Sequence, residues 1–235
     1  MCGRFSLSVP VSDLVALFGV EFETIIAPRF NIAPSQPVAA VRSAPVTGKR
    51  ELAFLHWGLI PSWAKDPALG SKLTNARSET AAEKPSFRAA FKKRRCLIPA
   101  TGFYEWKREG KVKQPFHIHM QDGTPFALAG LWERWEPPGG EPIESSAILT
   151  TSPNELMRPI HDRMPVIVDP KEYALWLDPQ VSDAQRLTPL LAPYASERMT
   201  AVAVSRWVNN ARNEGPRCLE RERETEAGLL DPVKE

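Results

Sequence analysis

The sequence predicts an α+β fold, a single domain built on curved antiparallel β-sheets, barrel-like, with peripheral helices. Three features lead there. The 235-residue chain holds 23 prolines, about twice the usual share near 5%, and so much proline suits sheets and irregular loops rather than a helical bundle. Short apolar or alternating runs recur between Pro and Gly at Pro37 to Arg42, Leu52 to Leu59, Cys96 to Ile98 and Gly102 to Lys107, the pattern of strands. Segments of helical period are few and brief, with no internal repeat and no heptad array.

In chain order, Arg4 to Ser8 reads as a strand, after which Ser12 caps a short helix carrying Leu14, Val15, Leu17 and Phe18 and closed by Gly19. Ser86 to Lys93 reads as a helix. Glu109-Gly110 and Asp122-Gly123 are turn dipeptides, so Gly102 to Leu131 is expected to form an antiparallel meander. Pro137-Pro138-Gly139-Gly140 is the best linker candidate, but a strand at Ser146 to Thr151 follows at once, and it reads as a loop tip. Helices are expected at Asn154 to Ile160, Pro170 to Leu177 and Ser182 to Leu191, then a last strand at Met199 to Ser205. One domain over residues 1–220 follows, with a charged tail over 221–235 expected to fray.

A formal charge of +2 is too small to indicate nucleic-acid binding, so that argument must rest on where the charges cluster. No apolar run approaches the roughly 18 residues of a membrane span, and Met1 to Pro10 lacks the apolar core of a signal peptide. A cytoplasmic, nucleoid-associated monomer with no membrane partner is expected. Cys2, Cys96 and Cys218 lie far apart, which speaks for reduced thiols over a disulfide framework or zinc ribbon. His117 and His119 share a strand face, but two ligands without a third are a weak metal signal, and neither a metal nor another cofactor is expected.

Cys2 carries the first chemical signal. Initiator methionine is generally removed before a small residue, leaving an amine and a thiol on adjacent carbons. An α-amine of pKa about 7.7 to 8.0 beside a thiol near 8.5 supplies two usable nucleophiles at neutral pH. With an aldehyde the amine forms an imine and the thiol closes a five-membered thiazolidine. The same thiol could attack an acyl carbon with the amine as base, as in N-terminal nucleophile hydrolases, and taken alone Cys2 could be incidental. Gly3 and Arg4 lead straight into a strand, which would fix the terminus.

In Gly102-Phe103-Tyr104-Glu105-Trp106-Lys107, period two puts Phe103 and Glu105 on one face and Tyr104 and Trp106 on the other. A desolvated Glu105 would have a raised pKa suited to acid-base work, whereas on a solvent face it would be unremarkable. His161-Asp162-Arg163 precedes Met164 to Val168, at the mouth of a strand where catalytic groups are often placed. His56 sits in an apolar strand and reads as structural. Lys84 to Arg95 contains Lys84, Arg88, Lys92, Lys93, Arg94 and Arg95 and no acid. Such a run is either a solvated face or, combined with Arg4, Arg77, Arg163 and Arg206, a phosphate-contacting surface. Trp57, Trp63 and Trp106 are candidates to stack on single-stranded bases, although most tryptophans are core.

Assembled, these residues resemble the SOS-response-associated peptidase family, also called abasic-site processing proteins. The resemblance covers nearly the whole chain. It rests on Met1-Cys2-Gly3-Arg4-Phe5, Arg29-Phe30-Asn31-Ile32-Ala33-Pro34, Trp57-Gly58-Leu59-Ile60-Pro61, Asn75-Ala76-Arg77-Ser78-Glu79-Thr80, Arg95-Cys96-Leu97-Ile98-Pro99, Gly102 to Trp106, His161 to Pro165 and Ser205-Arg206-Trp207-Val208-Asn209. It implies that Cys2 forms a covalent thiazolidine cross-link with the aldehyde of an abasic site in single-stranded DNA and so protects the lesion. By the same carry-over Asn75 would hold the reacting terminus or the aldehyde-derived oxygen, and Glu105 and His161 would move protons. Arg4, Arg77 and Arg163 look like phosphate clamps, with Pro34, Trp63 and Thr150 shaping a wedge. Some members carry a second aromatic where this chain has Ala64, which implies a smaller wedge. Replication or repair factors are the implied protein partners. The family name also implies thiol peptidase activity, autoprocessing or acting on proteins, which is the alternative reading; a third is a noncovalent DNA-binding module with a structural Cys2.

Overall fold

Alternating runs between Pro and Gly give thirteen strands among the described residues, which in this computed structural model are 2–20, 26–110 and 112–222, with Glu109 described by its backbone alone. Met1 and most of the expected tail, residues 223–235, lie outside them. The strands are β1 Phe5–Leu7, β2 Arg29–Ile32, β3 Pro37–Ser43, β4 Arg50–Trp57, β5 Asn75–Arg77, β6 Arg95–Ala100, β7 Gly102–Glu109, β8 Val112–Met120, β9 Phe126–Trp135, β10 Ile143–Thr151, β11 Met164–Pro165, β12 Ile167–Val168 and β13 Met199–Ala203. The helices are α1 Val11–Phe18, α2 Ser78–Ala81, α3 Arg88–Lys93, α4 Tyr173–Leu177 and α5 Ala184–Leu187.

The pairings β10–β4 (parallel), β4–β3, β3–β6, β6–β9 and β9–β10 (antiparallel) return to their starting strand, so five strands close a barrel, which removes exposed edges. Leu55, Leu97, Ile98, Leu128, Leu131 and Ile148 belong to one continuous core. A Cβ on Gly130 would lie 2.6 Å from the Cys96 sulfur, and only glycine lets β9 pass so close to β6. A second sheet runs β13-β8-β7-β1-β2. The expected α+β class, antiparallel sheets and barrel-like closure are therefore observed.

Two pairings position the chemistry. Along β1 and β7, Phe5 faces Phe103 and Ser6 faces Gly102, a register that, run back two residues, sets the start of the chain beside Glu105. Along β5 and β10, Asn75 faces Ile148 and Arg77 faces Thr150, while Thr150 also pairs with Pro165 of β11. Residues 75–77, 150 and 163–165 thus gather at one end of the barrel.

Several expectations need correction. The meander over Gly102 to Leu131 breaks after β8: the Asp122-Gly123 turn sends β9 into the barrel, where it pairs with β6, β10 and β12. Asn154 to Ile160 forms consecutive turns instead of a helix. Asn154 does cap its first turn through the Met157 N–H, at 2.9 Å, but Pro159 lacks an N–H and disfavours helical geometry at Arg158. Ser12 does not cap α1, which begins after Pro10, and the Ser12 hydroxyl turns to Asp13.

Candidate active site

Cys2 is held at the junction of the two sheets. Its carbonyl accepts the Asn75 amide N–H at 2.9 Å, its thiol approaches the Arg4 carbonyl at 3.8 Å, and no surface of the residue is exposed in the chain bearing Met1. Burial pushes the thiol well above the usual cysteine range, and the nearby Glu105 charge adds to the rise. In this form of the chain the sulfur is a protonated thiol. Asn75 offers a second group: its Oδ1 is buried with no hydrogen-bond partner among the described residues.

Glu105 has only 2% of its surface exposed, and burial raises its carboxyl pKa while His161 opposes the rise. The His161 Nε2 lies 3.9 Å from Glu105 Oε2. The Arg163 backbone N–H reaches His161 Nδ1 at 3.0 Å, yet Asp162 Oδ1 is also 2.9 Å from that nitrogen. One nitrogen cannot accept the first bond and donate the second. Asp162 is 88% exposed, so we assign the backbone bond to the neutral ring, which puts its proton on Nε2 toward Glu105, and the Asp162 contact to the protonated ring. A buried carboxyl and an imidazole adjoining a thiol form a proton-transfer set.

The surrounding cleft, about 470 Å³, is lined by Arg4, Glu105, Trp106, Arg108, Lys113, His161 and Asn209. A larger cavity of about 660 Å³, bordered by Met120, Phe126, Tyr173 and Arg198, touches none of the expected site residues; we place the site by its chemistry, not by cavity size. Arg4 is fixed by Asn31 Oδ1 at 2.8 Å and the Val208 carbonyl at 2.9 Å, and burial lowers its pKa. Trp106 donates to Asn209 Oδ1 at 2.7 Å, which fixes the ring at the cleft wall. Asn31, which no reading of the residues had singled out, is the hub: fully buried, its amide reaches the Val208, Asn210 and Asn213 carbonyls. The only hint was its place within Arg29 to Pro34.

Of the expected residues, Cys2, Asn75, Glu105, His161 and Arg4 come together. Arg163 joins them through its backbone, while Arg77 is exposed one strand end away, opposite Thr150. Thr150 is fully buried and lies behind Arg163, which donates to its carbonyl at 2.6 Å, so it supports the surface from beneath. Pro34 sits in the turn that closes on the Trp57 carbonyl through Ser35, whose φ is +68°. Trp63 is 59% exposed and donates to the Pro85 carbonyl at 3.4 Å, whereas Trp57 is wholly buried and unable to stack on a base. Ala64 is buried, its carbonyl taken by the Trp135 indole at 2.7 Å.

The basic run also divides. Arg95 is buried and donates to the Phe91, Lys92, Trp176 and Asp178 carbonyls, and Arg94 pairs with Glu133 at 2.6 Å. Both are structural. Lys84, Arg88, Lys92 and Lys93 remain exposed. His117 is 8% exposed with Ser6 at 3.0 Å, and burial, then His119, pulls its pKa down to about 3; it reads as a satisfied core histidine.

Fold and site together define a class: a β-barrel protein that holds a buried cysteine near a carboxyl–imidazole pair, the pair lining a cleft with Arg4, Arg108 and Lys113. The family model described as SOS response associated peptidase (SRAP) matches residues 1–211, and the chain belongs to that family. It is 44% identical over 224 residues to abasic site processing protein YoqW of Bacillus subtilis, covering 94% of this chain and 99% of the relative. With abasic site processing protein HMCES of Xenopus tropicalis it shares 38% identity over 196 residues, covering 74% of this chain and 58% of that protein. The fold is also that of a protein from Bacteroides thetaiotaomicron known by crystal structure, with a TM-score of 0.85 and 29% identity over 94% of this chain and all of that one.

Proposed function

We propose that the protein processes abasic sites in single-stranded DNA by forming a thiazolidine cross-link through Cys2, which shields the lesion from strand cleavage. What carries this reading is the terminus fastened by Asn75 beside the buried Glu105 and His161. Removal of Met1 frees the Cys2 amine. The amine attacks the sugar aldehyde first, as in ordinary imine formation, giving a carbinolamine. Glu105, its pKa raised by burial, then gives a proton to the departing hydroxyl, which leaves as water and yields an iminium. The thiol adds to the same carbon while its proton returns to Glu105. The balance is one water released, one C–N and one C–S bond formed, and Glu105 restored. His161 moves protons at the sugar oxygens as the ring opens.

Arg4 and Arg77 hold the flanking phosphates, the Arg163 guanidinium being engaged by Glu79 and Thr150, and Trp63 together with the exposed Lys84, Arg88 and Lys92 extends the path. Phosphate contacts position without reading bases, so sequence context matters little. Residues 1–220 are the working unit. The test is to incubate the purified protein with single-stranded DNA carrying one abasic site and look for a heat-stable cross-link. Cys2→Ala abolishes it if the reading is right; a cross-link that persists in that variant overturns it. A thiol peptidase acting on proteins would instead turn over peptides without steep salt dependence.

A further inference from the structure

We propose that Glu79 is a positioning residue for this reaction, acting through Arg163 and His161; the inference rests on the proposed cross-linking function. Glu79 lies in the first turn of α2, immediately after the strand that carries Asn75. Its two carboxylate oxygens accept both terminal nitrogens of Arg163, at 2.6 and 2.8 Å, and the second of these nitrogens also donates to the Thr150 carbonyl at 2.6 Å. A bidentate charge-assisted fork fixes the guanidinium plane as no single contact could. The Arg163 side chain is only 14% exposed and its Nε is buried without a hydrogen-bond partner among the described residues, so the orientation of the group depends on Glu79 and Thr150.

That orientation reaches the chemistry in two short links. Residues 161–163 have no helix or strand of their own, and the Arg163 N–H is what reaches His161 Nδ1. The imidazole is thereby turned with Nε2 toward Glu105. Glu79, itself half exposed, touches neither Cys2 nor Glu105 by any of these contacts; it ties the end of β5 to the loop that aims the imidazole. The opposing role is that of a placeholder, Glu79 merely filling a fork that a phosphate would take. The two roles make opposite demands on binding and rate.

The test compares Glu79→Gln, Glu79→Asp and the parent protein on two probes. Single-stranded DNA with a natural abasic site reports the cross-linking rate at saturation, and the same strand with a tetrahydrofuran analogue, which has no aldehyde, reports binding alone. For Glu79→Gln we expect a saturating rate about tenfold lower, analogue affinity unchanged within about twofold, and a displaced limb in the pH–rate profile, with Glu79→Asp recovering part of the rate. Arg163→Lys, which keeps the charge but loses the fork, should lose rate similarly. An unchanged rate in Glu79→Gln, or tighter analogue binding that raises the rate, overturns the proposal in favour of simple occupancy. Failure of the parent protein to cross-link would instead sink the function on which it rests, so the two failures are distinct.

Discussion

Asn75→Ala removes a side-chain donor that fastens the reacting terminus. The Cys2 carbonyl is buried and accepts the Asn75 amide at 2.9 Å; leaving such an acceptor unpaired costs about 1–3 kcal/mol. If the terminus avoids that cost by leaving its seat, the population aligned with Glu105 and His161 falls by the matching factor, roughly 5- to 150-fold. The global penalty is smaller, because residues beyond Phe5 remain paired in the sheet, and at about 1 kcal/mol a domain of this size loses roughly 2–4 °C in Tm. The assay is the saturating rate of cross-linking to single-stranded abasic DNA, followed by denaturing gel, beside a thermal melt. A rate within twofold of the parent would refute the reasoning, as would a melt so depressed that unfolding accounts for the loss.

Glu105→Gln should slow cross-linking by about 10² or more and change stability with a definite sign. The folded-state pKa of Glu105 is raised, so its contribution is full below the unfolded carboxylate range and is lost as pH rises through the folded value; the Gln variant should therefore gain in Tm relative to the parent as pH rises above the ordinary carboxylate range, and a constant or reversed difference would contradict the burial argument. Arg95→Ala should destabilise by about 3 kcal/mol, since four carbonyls lose a charged donor, with the cross-linking rate of the folded fraction unchanged. Replacing Lys84, Arg88 and Lys92 together by Ala should leave Tm nearly unchanged and reduce the slope of log affinity against log salt by about 2 on single-stranded DNA; an unaltered slope would make that face a solvated surface.

Strand patterning was legible because burial alternates with the pleat. Phe103 enters the main core and Tyr104 the smaller cluster with Val204 and Val208; period two put Glu105 on the Phe103 face, but its burial came only with the structure. The pairing of β9 was hidden, although a barrel-like fold was expected: Asp122-Gly123 reveals a turn but carries no information about which sheet the next strand joins. Asn75 lies in a three-residue strand, too short for any period, and only the family resemblance singled it out. Arg94 and Arg95 looked like surface charge because one-dimensional clustering cannot show that Arg95 folds back onto the open carbonyls of α3 and α4. Asn31 was silent for the same reason, its partners lying some 180 residues downstream.

The most direct measurement is tandem mass spectrometry of the N-terminal peptide released from the cross-linked product after nuclease and protease digestion. The account requires a peptide that begins at Cys2, carries the sugar remnant, and resists both thiol alkylation and amine labelling because one carbon bridges the two groups. A sugar remnant on any lysine, a Cys2 peptide still open to either reagent, or a cross-link formed by protein that retains Met1 would contradict it.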